Sequence, residues 1–269
     1  MLSDSTSSDL TRRIVTTAAE IFCLVGTAVG TGLLGTEIED TSQGALSDQA
    51  TLVAPAGPAF SIWSVIYLGL FAFTIWQWLP RNAADSRLRR LGYLPAASMV
   101  LNAVWILVAQ TGVVWLTAVI IVALLAVLAL IGLRLVGTGS GRTAETLVVD
   151  GTFGLYLGWV SVATVANITA ALVSLGVEPP ESVATVLGVV VVLVAGAVAA
   201  ALAWRLGGRF AIALAMAWGL AWVAIGRLTD DPLSTPVAVA AIVAAVVALG
   251  AAVVVRLRGR SRQTVPSGR

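Results

Sequence analysis

The chain has 269 residues, 58% of them hydrophobic and 11% charged, with a formal net charge of +2. A soluble domain carries roughly a quarter of its residues as charges, so this composition, with a mean hydropathy of +0.96, excludes one and turns the surplus apolar surface toward lipid. There is no histidine, Cys23 is the one cysteine, and every basic residue is arginine, which excludes an internal disulfide, a cysteine- or histidine-built metal centre and a Ser-His-Asp hydrolase.

In hydrocarbon each backbone N–H and C=O needs an internal partner, leaving helices or a closed barrel. The long Val/Ala/Leu runs lack the period-two alternation of barrel strands. The expected fold class is therefore all-α, a polytopic membrane bundle. A spanning helix needs about 20 mostly apolar residues, and eight stretches fit that description. They are 14–35, 59–79, 93–112, 114–136, 149–175, 182–205, 209–226 and 235–256. The seventh is the shortest. A tight Thr111-Gly112 turn joins the third to the fourth.

The head (1–12) is rich in Ser, Asp and Thr and is expected to be disordered, as is the basic tail (257–269). Arg12-Arg13 followed by an apolar run has the outline of a signal peptide. The run is too long for an h-region and shows no clear Ala-x-Ala site, so it is read as an uncleaved first helix. Glu20, about two turns into that helix, is an ionisable group at membrane depth. It is read as snorkelling or pairing with an arginine at the inner face. Gly26 and Gly30 form a small-xxx-small pair suited to close helix contact. Arginines follow the second, fourth, sixth and eighth segments, while the intervening loops are acidic or mixed, such as Glu37–Asp48 and Glu178–Glu181. The positive-inside rule then puts both termini in the cytoplasm of a plasma-membrane protein. The arginines serve topology and do not point to nucleic acid.

An α-helix advances about 100° per residue, so Phe60, Trp63, Tyr67, Phe71 and Trp78 fall within a sector of roughly 80° on the second segment. Ser98, Asn102 and Trp105 share a face of the third segment. Tyr156, Trp159, Ala163 and Asn167 share one on the fifth, and Trp218 and Trp222 pair on the seventh. An amide at mid-membrane is costly unless partnered. Three such stripes facing one space would enclose a pocket with flat apolar walls and a few polar tips. Plain helix packing, with Asn102 and Asn167 bonding between helices, is the other reading. Trp76, Trp78, Trp115 and Trp204, near segment ends, read as interfacial belt residues. No Walker loop, metal-ligand cluster, nucleophile elbow or dinucleotide fingerprint occurs, and no cofactor is required.

Three of these motifs resemble the TspO/MBR family, the translocator or tryptophan-rich sensory proteins. Leu155-Tyr-Leu-Gly-Trp159-Val-Ser-Val-Ala163-Thr-Val-Ala-Asn167 resembles its fifth helix. Asn102-Ala-Val-Trp105 resembles its third. Trp63-Ser-Val-Ile-Tyr67, entered through Pro55-Ala-Gly-Pro58, resembles its second. The resemblance covers residues 13–175; the three segments at 182–256 resemble the C-terminal extension of longer members. It implies a five-helix bundle that binds a tetrapyrrole such as a porphyrin, often as a homodimer. By motif match the pocket residues are Trp63, Tyr67, Asn102, Trp105, Tyr156, Trp159, Ala163 and Asn167. It leaves open a sensor or receptor, a transporter, a porphyrin-degrading activity, and a scaffold whose last helices recruit a partner. The loop 36–58 lacks the family's W-Y…K-P-x-W lid segment, Leu155 replaces its proline, and no cholesterol motif follows Asn167.

Overall fold

The computed structural model describes residues 6–139 and 142–263, and their regular structure is all helical, without a strand. The helices are α1 (Ser7–Gly30), α2 (Ile62–Trp76), α3 (Ser86–Leu91), α4 (Leu94–Ala109) and α5 (Val114–Leu135). There follow α6 (Thr143–Glu145), α7 (Thr152–Ser174), α8 (Glu181–Arg205), α9 (Phe210–Thr229) and α10 (Thr235–Gln263). A 3₁₀ turn, Gly57–Ser61, leads into α2, and a π turn, Thr146–Gly151, joins α6 to α7.

The eight apolar segments become α1, α2, α4, α5, α7, α8, α9 and α10. Among the described residues seven helical stretches are long and apolar enough to cross a membrane. The exception is α4, whose 16 residues rise only about 24 Å at 1.5 Å each, short of a hydrocarbon layer of roughly 30 Å. Helix α2 reaches 20 residues only with its 3₁₀ entry, Gly57–Trp76, so the third segment, not the seventh, is the one too short to span. Gly92, at φ +60, breaks the chain between α3 and α4, so residues 86–91 form a separate short helix. Helix α9 runs on to Thr229.

The ends also correct the sequence reading. The polar residues taken for a disordered head include the cap of α1. The Thr6 hydroxyl accepts from the Asp9 N–H at 3.3 Å, and the Asp9 carboxylate accepts from the Thr6 N–H at 3.0 Å. This reciprocal box satisfies N–H groups that a helix start leaves open. Asp9 then binds Arg89 at 2.6 Å. Residues 1–5 lie outside the described residues. At the other end α10 is helical to Gln263 rather than disordered from 257, and 264–269 lie outside the described residues.

Helix α4 packs between α1 and α5, α7 between α5 and α9, and α10 against both α8 and α9. Small residues set these contacts, as expected where lipid tails give no hydrophobic drive to pair helices. A Cβ on Gly26 would lie 3.0 Å from the Cβ of Ala103, and one on Gly30 would lie 3.0 Å from Ile106. A Cβ on Gly196 would lie 2.9 Å from Ala244, and one on Gly154 would lie 2.7 Å from Ala211.

At one end, buried charges tie three connections together. Arg87 of α3 meets Glu145 and Asp150, each at 2.8 Å, and Thr138 at 3.1 Å. Arg209, just before α9, also reaches Asp150 and the Leu135 carbonyl. Burial works against the charge on Arg87, but the two carboxylates outweigh it and hold its pKa above the ordinary arginine value. Asp150 therefore joins these connections. Trp76, read as a belt residue, is buried with Arg81 and Arg142 over its ring. Trp78, Trp115 and Trp204 are exposed.

Gly26→Leu is expected to destabilise the protein by about 1–3 kcal/mol, the usual cost of overpacking, because the Ala103 backbone 3.1 Å from the site cannot yield. Thermal unfolding in detergent, with Val25→Leu on an exposed position as control, measures this.

Candidate ligand cleft

The N-terminal half of α2, the middle of α4 and the middle of α7 face one another near the 31–56 loop. Two neighbouring lobes open between them. Both are lined by Ile38, Phe60, Trp63, Asn102 and Trp105. The larger, about 370 Å³, is completed by Thr27 and Gly30 of α1 and by Tyr67. The narrower, about 60 Å³, reaches Trp159, Ala163 and Asn167 of α7 and lies under Ala50, Thr51, Ala54 and Pro55 of the loop. The larger lobe alone falls in the range of small-molecule sites, roughly 300–1,000 Å³.

The aromatic rings hold one another at fixed angles. Trp63 stacks on Tyr67 at 5.2 Å between ring centroids. It meets Tyr156 edge-on at 5.8 Å and Trp159 edge-on at 6.2 Å. Phe60 meets Trp159 edge-on at 5.6 Å. Offset and edge-to-face pairs are the favoured aromatic geometries.

Two amides join the helices that carry these rings. Asn102 donates to the Tyr67 hydroxyl at 3.0 Å and to Cys23 Sγ at 3.5 Å, so α4 is bonded to α2 and α1. Asn167 donates to Thr117 Oγ1 at 3.0 Å and accepts from Trp105 Nε1 at 3.4 Å, so α7 is bonded to α5 and α4. The asparagines thus do both things read from the sequence: they bond between helices and they line the cleft.

Seven of the eight motif residues, Trp63, Tyr67, Asn102, Trp105, Trp159, Ala163 and Asn167, line one or both lobes. Tyr156 does not. It is fully buried behind Trp63, and its hydroxyl donates to the Ser98 carbonyl at 3.2 Å. The stripe on α2 divides. Phe60, Trp63 and Tyr67 enter the cleft, whereas Phe71 is 47% exposed and Trp78, past the helix end, donates to Thr17. A shared helical face fixes direction only; depth decides what stands opposite. Sequence reasoning missed the loop residues Ile38, Ala50, Thr51 and Ala54, which carry no motif and are placed by the closing of the loop over the cleft.

Two lining residues of the narrow lobe, Trp159 and Thr51, carry buried polar atoms, Nε1 and Oγ1, without a partner among the described residues. Trp159 is 1% exposed, and its N–H has no acceptor among the described residues. A buried donor without a partner costs about 1–3 kcal/mol.

Glu20 departs from its expected role. It is 2% exposed, and neither carboxyl oxygen has a hydrogen-bond partner among the described residues, so it neither snorkels nor pairs with arginine.

An all-helical membrane bundle with an aromatic cleft among its first five apolar segments is the class that these features define. The family model described as TSPO-like protein matches residues 14–254, and the chain belongs to that family. The match takes in the last three helices as well as the first five apolar segments. No curated protein and no solved structure matches the chain.

Glu20→Leu is expected to raise the thermal midpoint, because it removes a buried polar group that no partner compensates. A lower midpoint in the same melt would reveal a partner for the carboxyl.

Proposed function

We propose that this chain is a membrane receptor for a planar, largely apolar small molecule of the tetrapyrrole type, bound in the cleft. The observation that carries this reading is the convergence of Trp63, Asn102, Trp105, Trp159 and Asn167 on one cleft, where the buried Trp159 N–H also lacks an acceptor among the described residues. A ligand with an oxygen or nitrogen at its edge would supply the missing partner, while its flat body packs against Trp63, Trp105 and Phe60. Asn102 and Asn167 hold the walls; their amide donors are already engaged with Tyr67, Cys23 and Thr117.

Beneath the cleft, Ile66, Leu70, Phe73 and Met99 are fully or almost fully buried. This packed floor favours a receptor over a carrier in this conformation, since a carrier needs a path to the far side. The cleft opens at the end opposite the Arg87 cluster. With the arginine-rich loops in the cytoplasm, it would face outward from the plasma membrane.

Titration with a metal-free porphyrin, followed by quenching of tryptophan fluorescence, tests the proposal. Micromolar binding is expected. Trp159→Phe keeps the ring and deletes the donor, so it should weaken binding by about 5- to 12-fold, the equivalent of one hydrogen bond of about 1–1.5 kcal/mol. Equal affinity of the two proteins would refute the assigned role of the N–H. No quenching by the parent protein would end the tetrapyrrole reading. Porphyrin recovered chemically unchanged agrees with a receptor; its breakdown dependent on Trp63 or Trp105 would make the chain an enzyme.

A further inference from the structure

Helix α9 lies outside the first five apolar segments, three of which carry the motifs, yet it grips the loop that covers the cleft. Arg227, near its end, is 1% exposed. Its guanidinium donates to the carbonyls of Asp48 and Thr51, each at 3.1 Å, and of Pro232 at 3.0 Å. These acceptors are all main-chain oxygens, and Nε has no acceptor among the described residues. A buried arginine with no close ion pair among the described residues is expensive to keep, whereas its rigid five-donor fork suits several carbonyls on separate segments.

Two more contacts come from α9. The Trp222 carbonyl accepts from the Ala56 N–H at 3.2 Å, and Trp218 Nε1 donates to the Ala59 carbonyl at 2.9 Å. The gripped segment closes on itself, because the Asp48 carboxylate accepts from the Gly57 N–H at 3.0 Å. Between those anchors lie Ala50, Thr51, Ala54 and Pro55, which line the narrow lobe beside Trp159. The first half of the loop is fastened elsewhere. Thr36 and Gln110 exchange two hydrogen bonds, and Ser42, a non-glycine residue at φ +54, donates to the Ala109 carbonyl at the end of α4.

We infer that α9 is the lid clamp of the cleft, with Arg227 as the positioning residue that keeps segment 48–59 closed over the narrow lobe. The clamp rests on the reading of this cleft as a ligand site, but the lid motion can be measured without any ligand. The C-terminal helices then set how readily the site opens. The first five apolar helices supply the walls, and the extension supplies the closure.

The test uses the full chain in detergent, with Cys23→Ala removing the one native thiol and Ala54→Cys placing a reporter at a buried position of the lid itself. The rate of maleimide labelling reports lid opening. Arg227→Met in this background should speed labelling by about tenfold or more, since each lost hydrogen bond to a charged group changes an equilibrium by that order. Trp218→Phe, which loses one neutral donor, should speed it by about threefold to tenfold. Porphyrin dissociation should quicken in the same order. If Arg227→Met does not fold, Trp218→Phe carries the test. Labelling as slow as in the parent in the folded variants would overturn the clamp. Faster labelling in a protein that binds no porphyrin would support the clamp and sink the ligand reading instead.

Discussion

Two asparagine amides at membrane depth hold the cleft together. An amide in hydrocarbon must find a partner, and each of these finds partners on two other helices. Asn102 bonds α4 to α2 and α1, and Asn167 bonds α7 to α5 and α4. The helices that bear the rings are therefore fixed in rotation as well as position. Single interhelical hydrogen bonds in membranes are worth only about 0.6 kcal/mol on average, so the amides contribute modestly to stability. Their larger effect is directional. A rotation of α4 or α7 that buried more apolar surface would strand these groups without partners.

The two ends of the bundle are closed by different means. At the end marked by Arg87, ion pairs among Arg87, Glu145, Asp150 and Arg209 join three connections. At the cleft end closure relies on main-chain carbonyls taken up by Arg227, Trp218 and Gln110. Ion pairs of the first kind give a rigid seam. A loop held by a few separable hydrogen bonds can open one anchor at a time, which is what a site that admits a ligand requires.

Small residues explain why the last three helices join the rest through close contact between α7 and α9. Gly158 lies against the Ile212 carbonyl, and Gly154 lies against Ala211. Such close approach places α9 beside the loop that precedes α2, and the Arg227 grip follows from that position. The family match from 14 to 254 agrees with a chain whose later helices are part of the same body.

The membrane class, the eight apolar segments and the alternation of basic and acidic loops were legible from sequence, because hydrocarbon demands long uncharged helices whatever their neighbours. The helical period likewise put Trp63, Asn102, Trp105, Trp159 and Asn167 on shared faces, since 100° per residue is a local rule. Sequence alone did not determine depth or partners. Tyr156 and Phe71 obey the same periodicity as the cleft residues, yet one is buried behind the wall and the other is exposed. The isolation of Glu20, the burial of Trp76 and the reach of Arg227 depend on segments up to 179 residues apart. Only the tertiary structure decided those, because what a polar group costs or contributes depends on which atoms packing brings within about 3 Å.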